Sequence, residues 1–324
     1  MNFDLFDKIS SKYKDYKLEK IKSGASKRTF YRLIKGSNSL ICLDSSNEKK
    51  EYNNFLMVHS YLSKVNVSIP NVYENDDVNN ILILEDFGNL RFDRILRNYP
   101  LKKLLEYAVR TLIILKNDIY YNNSNDLSAY NYNAFKSEIS EFLDFYYPYV
   151  HNKEISKNLT EEFYGCWQSY FDSINFNFIN FVHKDFNINN LVYLPLRKDH
   201  LKCGLLDFQG AFWGECCWDL FSLLEDSRIY FDDQFNDYFI KFYYKSTNQN
   251  IDINDFKEKY YMLNCARQTR LLGRWVKLSK ELNQSFYLDF IETTKKRLVK
   301  GIRKTNRKNL KLIYNKLIPG CCNV

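Results

Sequence analysis

The sequence lacks the cysteine spacing that zinc sites and disulfide frameworks use. None of its 8 cysteines forms a Cys-x-x-Cys pair, and four of them stand in the adjacent couples Cys216-Cys217 and Cys321-Cys322. Adjacent cysteines are poorly spaced for tetrahedral ligation of one metal ion. The pattern therefore argues against a zinc site and favours the reduced thiols of a cytosolic protein.

Long apolar runs and targeting signals are missing as well. No apolar stretch approaches the roughly 20 residues of a membrane-spanning helix. The segment Met1-Asn2-Phe3-Asp4 is not a basic region followed by an apolar stretch, so no signal peptide is expected. These absences predict a cytoplasmic protein without a membrane span.

Glycine and proline are scarce, at 10 and 5 of 324 residues, whereas Asn, Lys, Ile, Tyr and Phe are abundant, a bias typical of an AT-rich genome. The net charge of +8 reflects this lysine content in part, and it favours anionic ligands over cationic ones. The most basic segment, residues 295–311, is interpreted as the polar face of terminal helices. No aromatic run resembles an RNA-stacking motif, so no nucleic-acid partner is expected.

What the sequence does contain is the patterning of a globular protein with two kinds of segment. Up to about Gly88, short apolar runs typical of strands flank turn residues, and beyond it the pattern is mainly helical. The predicted elements are an opening helix over residues 1–20, a hairpin of Thr29–Ile34 and Ser39–Leu43, a helix over Glu48–Lys64, a strand at Asn80–Leu84, and a second hairpin of Asn190–Leu194 and Leu201–Phe208.

The most informative stretch is Phe181–Val192, which fits the pattern H-x-D-x-x-x-x-N of kinase catalytic loops through His183, Asp185 and Asn190. Seventeen residues after Asn190, Asp207 ends a short apolar strand of the second hairpin. A lone His-x-Asp is common and carries little weight. The loop, the hairpin and the following Asp-Phe together are far less common by accident, so they indicate phosphoryl transfer.

Phosphoryl transfer explains why these residue types occur together. Negative charge on the β- and γ-phosphates of ATP requires Mg²⁺, which prefers hard oxygen ligands such as Asp207 and the side-chain carbonyl of Asn190. A further carboxylate, Asp185, is needed to orient the acceptor hydroxyl and take its proton. We expect His183 to hold the loop through hydrogen bonds rather than to take part in the chemistry.

On these residues the sequence resembles the aminoglycoside/choline phosphotransferase family of small-molecule kinases. Within that family it is similar to bacterial kinases that phosphorylate the anomeric hydroxyl of N-acetylmuramate and N-acetylglucosamine in cell-wall recycling. The segments that carry the resemblance are Gly24–Arg32, Leu82–Gly88, Phe181–Val192, Gly204–Gln209, Trp218–Arg228 and Arg270–Trp275. Together they span most of the chain.

The resemblance implies an α+β, bilobal protein-kinase-like fold. It assigns residues 1–88 to a small N-terminal β-sheet lobe that binds nucleotide, and residues 89–324 to a larger, mostly helical C-terminal lobe for catalysis and substrate binding. The implied ligands are ATP, Mg²⁺ and a small-molecule substrate, an amino sugar. The oligomeric state is not predicted.

The resemblance also implies roles for individual residues. Asp185 is the catalytic base in the segment with His183 and Lys184, and Asn190 and Asp207 bind Mg²⁺. Asp219 supports the catalytic loop. The turn at Ser26, Lys27 and Arg28 covers the ATP phosphates, and the backbone near Glu85, Asp86 and Phe87 contacts the adenine.

The sequence departs from the family pattern in places. It has Gly24 and Gly210 where the sugar kinases tend to have Asp. No lysine occurs in Ile41–Asp44, where kinases usually keep one that pairs with phosphate. Another cation must then offset the phosphate charge, and Arg28 or Lys27 is the candidate.

Three alternatives remain open on the sequence. The acceptor could be an aminoglycoside, choline or a different sugar, although a cationic acceptor calls for an acidic cleft and this chain is basic. A protein kinase would need an activation segment and an Ala-Pro-Glu, for which there is no room between Asp207 and Trp218. A pseudokinase would explain the missing lysine, but not the presence of Asp185, Asn190 and Asp207.

Overall fold

The structure of the chain is a computed structural model, and it describes residues 9, 11–21, 28–121, 126–229, 231–247, 250–305, 307–318 and 321. The chain forms two compact units. The first consists of residues 1–118 and 188–211, and the second of residues 119–187 and 212–324. The assignment of residues 1–88 and 89–324 to two functional lobes stays a prediction.

The first unit is built on a five-stranded antiparallel sheet with the strand order β1-β2-β3-β5-β4. The predicted hairpin is confirmed: residues 29–35 pair with residues 38–44 in register, and Gly36 supplies the positive φ of 62° that the turn needs. The strands are β1 (Lys17–Ile21), β2 (Thr29–Lys35), β3 (Asn38–Asp44), β4 (Val72–Asp76) and β5 (Ile81–Glu85).

Among its described residues, the first unit also contains three α-helices and a short hairpin. They are α1 (Lys49–Leu62), α2 (Phe92–Ile95), α3 (Leu101–Asp118), β7 (Leu191–Tyr193) and β8 (Cys203–Leu205). The second hairpin is confirmed, with Leu191 opposite Leu205 in an antiparallel pair. Helix α1 buries Phe55, whose ring lies 4.8 Å from that of Phe208, directly after Asp207. This contact fixes the chain where β8 leaves the hairpin.

The expected opening helix over residues 1–20 is wrong at its C-terminal end. Lys17–Ile21 is strand β1, which pairs antiparallel with β2. Its two apolar residues, Leu18 and Ile21, are three positions apart, so the strand forms through its pairing with β2 and not from an alternating pattern. Only a 3₁₀ turn, Ser11–Tyr13, precedes it among the described residues.

The second unit is mainly helical. Its elements are α4 (Tyr132–Glu141), a π-helical turn (Phe142–Tyr146), α5 (Tyr147–His151), α6 (Lys157–Asp172), β6 (Asn180–Val182), β9 (Phe212–Gly214), α7 (Trp218–Leu224), α8 (Asp233–Ser246), α9 (Ile253–Glu281), a 3₁₀ turn (Ser285–Phe290), α10 (Ile291–Lys304) and α11 (Lys308–Leu317). Strands β6 and β9 form an antiparallel pair. None of the helices in the described residues has the length and apolar character that crossing a membrane requires.

Helix α9 is the centre of the second unit. It is 29 residues long and buries residues on all its faces, including the polar Asn264, Arg267 and Gln268. A helix buried all round is typical of the core of a larger protein. It approaches the end of α4 so closely that a Cβ atom on Gly273 would overlap the backbone carbonyl of Glu141. Glycine at this position is therefore required by packing.

Candidate active site

The backbone of the loop that follows β6 donates hydrogen bonds to one carboxylate. The backbone N–H of His183 donates to Oδ2 of Asp219 at 2.7 Å, and the N–H of Lys184 donates to Oδ1 at 3.0 Å. Asp219 lies in the first turn of α7 and is 5% exposed. Both oxygens of one buried carboxylate thus fix two successive peptide groups immediately before Asp185.

Burial raises the pKa of Asp219 from 3.8 to about 7, although the hydrogen bonds from His183 and Lys184 favour its charged form. Lys184 itself has a φ of 80°, in the left-handed region that non-glycine residues seldom occupy. Such backbone strain persists where the surroundings hold it and is concentrated at functional sites. The Asp219 carboxylate supplies that restraint here.

The rest of this loop is compact. The ring of His183 is fully buried and lies edge-on to Phe186, with their centroids 5.6 Å apart. The backbone carbonyl of Asp185 accepts hydrogen bonds from the backbone N–H of Asn187 at 2.9 Å and from its side-chain amide at 3.1 Å. These contacts, with those to Asp219, set the direction of the chain on both sides of Asp185.

The two predicted metal ligands belong to the first unit and flank its short hairpin. Asn190 directly precedes β7, and its backbone carbonyl accepts a hydrogen bond from the N–H of Leu206 at 2.9 Å. Asp207 is the next residue after Leu206, and its φ of 61° also lies in the left-handed region. The hairpin therefore places Asn190 beside the segment that carries Asp207.

The carboxylate of Asp207 is engaged through one oxygen. Its Oδ1 accepts from Nη2 of Arg28 at 2.7 Å and from Nε2 of Gln209 at 2.9 Å. Arg28 is 4% exposed, whereas the side chain of Asp207 is 41% exposed. No hydrogen bond to Oδ2 from the described residues is present.

These donors fit Mg²⁺. A carboxylate and an amide carbonyl are the hard ligands that Mg²⁺ takes from a protein, while water and phosphate supply the rest of its octahedron. No group of three or more His, Cys, Asp or Glu capable of holding a metal occurs among the described residues.

Arg28, which the sequence suggested as a cation for the phosphates, lies against the Asp207 carboxylate in the structure. Its guanidinium lies 5.5 Å from the ring centroid of Phe30 and donates to Asp207. The other two residues predicted in this turn, Ser26 and Lys27, lie outside the described residues.

The segment predicted to contact adenine is anchored by arginines of the first unit. Glu85 accepts from Nη2 of Arg197 at 2.6 Å, and Asp86 pairs with Nε of Arg32, also at 2.6 Å. The guanidinium of Arg197 lies 4.9 Å from the ring centroid of Phe87. The conformation of this segment is thus determined by side-chain contacts on two sides.

Sequence reasoning did not single out Arg267, a buried cation of α9, and it noted Arg270 only within a resembling segment. The two residues are three positions apart on one helix and therefore share a face. The Asp185 carboxylate acts electrostatically on both. Their spacing was visible in the sequence, but a chain with 47 Lys and Arg residues offers many such pairs.

Comparison with known proteins agrees with this geometry. Residues 179–251, which include Asp185, Asn190, Asp207 and Asp219, match the phosphotransferase enzyme family. The N-acetylmuramate/N-acetylglucosamine kinase of Neisseria meningitidis serogroup B is 26% identical over 258 residues, covering 76% of this chain and 73% of that protein. The protein of the same name from Pseudomonas aeruginosa is 26% identical over 212 residues, covering 64% of this chain and 59% of that protein.

Solved structures share the fold at low sequence identity. The choline kinase LicA of Streptococcus pneumoniae superposes with a TM-score of 0.64 at 14% identity, covering 93% of this chain and 98% of that one. The ADP-bound aminoglycoside phosphotransferase APH(2'')-Ib gives a TM-score of 0.61 at 14% identity, covering 92% and 99%.

The predicted fold class and the predicted resemblance are confirmed by these comparisons, as is the enzyme class of a phosphotransferase acting on a hydroxyl group. Residues 179–251 match the phosphotransferase enzyme family, and the chain has the protein-kinase-like fold of the aminoglycoside and choline kinases.

Proposed function

We propose that the protein is an ATP-dependent kinase that phosphorylates the anomeric hydroxyl of an N-acetylated amino sugar. The observation that carries the proposal is the catalytic-loop pattern of His183, Asp185 and Asn190, lying within the phosphotransferase match and held by Asp219. The names of the relatives, at about a quarter of identical residues, support an amino sugar as acceptor.

In this proposal Asp185 accepts the proton of the anomeric hydroxyl as the sugar oxygen forms its bond to the γ-phosphorus. The bond between that phosphorus and the bridging oxygen of ADP breaks at the same time, so ADP leaves with the electron pair. Asp219 contributes by holding the peptide groups of His183 and Lys184, which keeps the base in place. Removing a positioned base typically costs about 10²–10⁴ in rate.

Asn190 and Asp207 would hold Mg²⁺ through their side-chain oxygens. When bound, Mg²⁺ neutralises charge on the β- and γ-phosphates. Arg28 supplies the cation that the missing strand lysine would otherwise provide, since its guanidinium already lies against Asp207. Backbone groups of Glu85–Phe87 contact the adenine, and Ser26 and Lys27 cover the phosphates.

The cytoplasm is the proposed location, because ATP is available there and none of the described cysteines forms a disulfide. Burial raises the pKa of Cys166 to about 11 and of Cys42 to about 12, so these thiols stay protonated and unreactive at neutral pH.

Phosphorus NMR of the purified protein with ATP and Mg²⁺ tests the proposed reaction. N-acetylmuramate and N-acetylglucosamine are the acceptors, and the methyl glycoside of N-acetylglucosamine is the matched control, because its anomeric oxygen is blocked. We expect a new sugar 1-phosphate signal with the free sugars and none with the glycoside. Absence of a signal with every reducing sugar, or phosphorylation of the glycoside, would overturn the proposal; a product with choline or an aminoglycoside instead would identify a different acceptor.

A further inference from the structure

Arg267 is a cation buried in the second unit without a complete set of partners. It is 5% exposed, and its Nη1 makes no hydrogen bond to the described residues. Leaving a guanidinium N–H buried and unsatisfied is costly, so native proteins usually supply a partner. Burial lowers the pKa of Arg267 to about 10, and the neighbouring Asp226 and Asp185 favour its charged form. The side chain therefore remains a cation at neutral pH.

Arg270 adds a second incompletely satisfied guanidinium on the same face of α9. Its Nη1 donates to Glu138 at 3.2 Å, while its Nε is buried and makes no hydrogen bond to the described residues. Burial alone lowers its pKa, but Glu138 and then Asp185 raise it above the ordinary value. Both arginines thus interact with the carboxylate assigned here as the catalytic base.

Arg228 completes a cationic cluster, which we define as Arg228, Arg267 and Arg270. Its Nη1 donates to Oδ1 of Asp226 at 3.0 Å, and its guanidinium lies 5.6 Å from the ring centroid of Trp275. The carboxylates that act electrostatically on Arg267 and Arg270 are Asp226, Asp185, Glu138 and Glu141, and the carboxylate of Asp219 also interacts with Arg267. Glu141 pairs with Arg274 and Lys277, and Asp219 accepts the peptide N–H groups before Asp185. Neither carboxylate offers a hydrogen bond to Nη1 of Arg267 or Nε of Arg270.

From this arrangement we propose that Arg267 and Arg270 bind the carboxylate of an anionic acceptor, and that this contact makes the acidic amino sugar the preferred substrate. The inference rests on the proposed function, because it takes Asp185 as the base. Of the two sugars in the relatives' names, N-acetylmuramate carries a lactyl carboxylate and N-acetylglucosamine carries none. A planar guanidinium matches a carboxylate through two parallel hydrogen bonds, which an uncharged hydroxyl cannot provide.

The most direct test changes the substrate rather than the protein. N-acetylmuramate and its lactyl carboxamide differ in charge at one group and hardly in shape. We expect the wild-type protein to have a kcat/KM at least about tenfold higher for the acid than for the amide, mainly through KM. Equal values for the acid and the amide would overturn the inference whatever the variants show.

Variants then assign the contact to residues. Arg267→Gln and Arg270→Gln should each lower the acid-to-amide ratio of kcat/KM by about tenfold and weaken equilibrium binding of N-acetylmuramate measured by calorimetry without nucleotide. Arg274→Gln is the matched control, because Arg274 lies on the same helix, is 42% exposed and pairs with Glu141; it should leave the ratio unchanged. If the acid-to-amide ratio is unchanged in both variants, these arginines do not bind the substrate carboxylate.

A merely structural role predicts a different result. If Arg267 only stabilises α9 through Asp226, its substitution lowers the melting temperature and affects both acceptors equally, which contradicts the inference. If Arg267→Gln does not fold, Arg270→Gln and the wild-type acid-to-amide ratio still decide. If the proposed function is wrong, the wild-type protein phosphorylates neither sugar. If only the inference is wrong, both sugars are phosphorylated with equal efficiency.

Discussion

Nη2 of Arg28 donates a hydrogen bond to Oδ1 of Asp207 at 2.7 Å, although the two residues are 179 positions apart in the chain. A buried guanidinium thus holds one oxygen of the carboxylate that is proposed to bind Mg²⁺. A charge-assisted hydrogen bond of this kind typically contributes about 1.5–3 kcal/mol. The pair links the predicted phosphate turn to the predicted metal ligand within the first unit.

Substitution of Arg28 is expected to change two affinities in opposite directions. In Arg28→Gln, Asp207 loses its competing cation, so Mg²⁺ without nucleotide should bind more tightly. The phosphates lose a cation, so the Kd of ATP with Mg²⁺ should rise by about tenfold. Isothermal titration calorimetry measures both, and Lys35→Gln, an exposed lysine on β2, serves as the control. Unchanged affinity for ATP would remove Arg28 from the phosphate site.

Asp219 is expected to stabilise both the fold and the catalytic loop. Asp219→Asn keeps one acceptor for the N–H groups of His183 and Lys184 and leaves the other N–H facing an amide donor. The cost should be about 1–3 kcal/mol of unfolding free energy, with a larger cost in Asp219→Ala. Urea unfolding measures the difference, and a variant as stable as the wild type would contradict this account of the contact.

The raised pKa of Asp219 predicts how stability depends on pH. Because the folded-state pKa of about 7 lies above the unfolded value of 3.8, the folded state binds the proton more tightly. The contribution of this group is therefore fully present below about pH 4 and is lost as the pH rises through 7. The advantage of the wild type over Asp219→Asn should be larger at pH 5 than at pH 8. If urea unfolding shows a larger advantage at pH 8 than at pH 5, burial does not dominate the pKa of Asp219.

Two helix glycines make a matched pair for the packing of α9. Gly273→Ala places a methyl group against the backbone carbonyl of Glu141, which cannot move aside as a side chain can. We expect a loss of about 1–3 kcal/mol or more of unfolding free energy. Gly165 on α6 has no atom within 4 Å of an added Cβ, so Gly165→Ala should gain about 0.5–1 kcal/mol from helix propensity. If thermal unfolding shows that both variants lose the same unfolding free energy, the close approach at Gly273 is contradicted.

The sequence pattern predicted the two hairpins, whose strands are close together in the chain. The β2–β3 hairpin follows from Gly36 between two apolar runs, and the β7–β8 hairpin follows from the turn between Asn190 and Asp207. The loop around Asp185 was predicted as catalytic because a phosphoryl-transfer site needs its acids and amide at fixed spacing along the chain, and that assignment stays a prediction.

Contacts distant in sequence could not be predicted in the same way. Strand β9 has only three residues and exists through its pairing with β6, some thirty positions earlier. Strand β1 follows three apolar residues at helical spacing, and its pairing with β2 overrides that local preference. The burial of Arg267 depends on the elements that pack around α9, and the local sequence pattern does not predict which elements these are.

The measurement that tests the central claim most directly is the steady-state rate of Asp185→Asn with N-acetylmuramate, ATP and Mg²⁺. Asparagine keeps the size of Asp185 and the backbone contacts of its loop, but it cannot take the proton of the acceptor hydroxyl. We predict that kcat falls by about 100-fold or more, while calorimetry gives a Kd for ATP within about threefold of the wild-type value. A kcat equal to that of the wild type would contradict the assignment of Asp185 as the base, and with it the proposed mechanism.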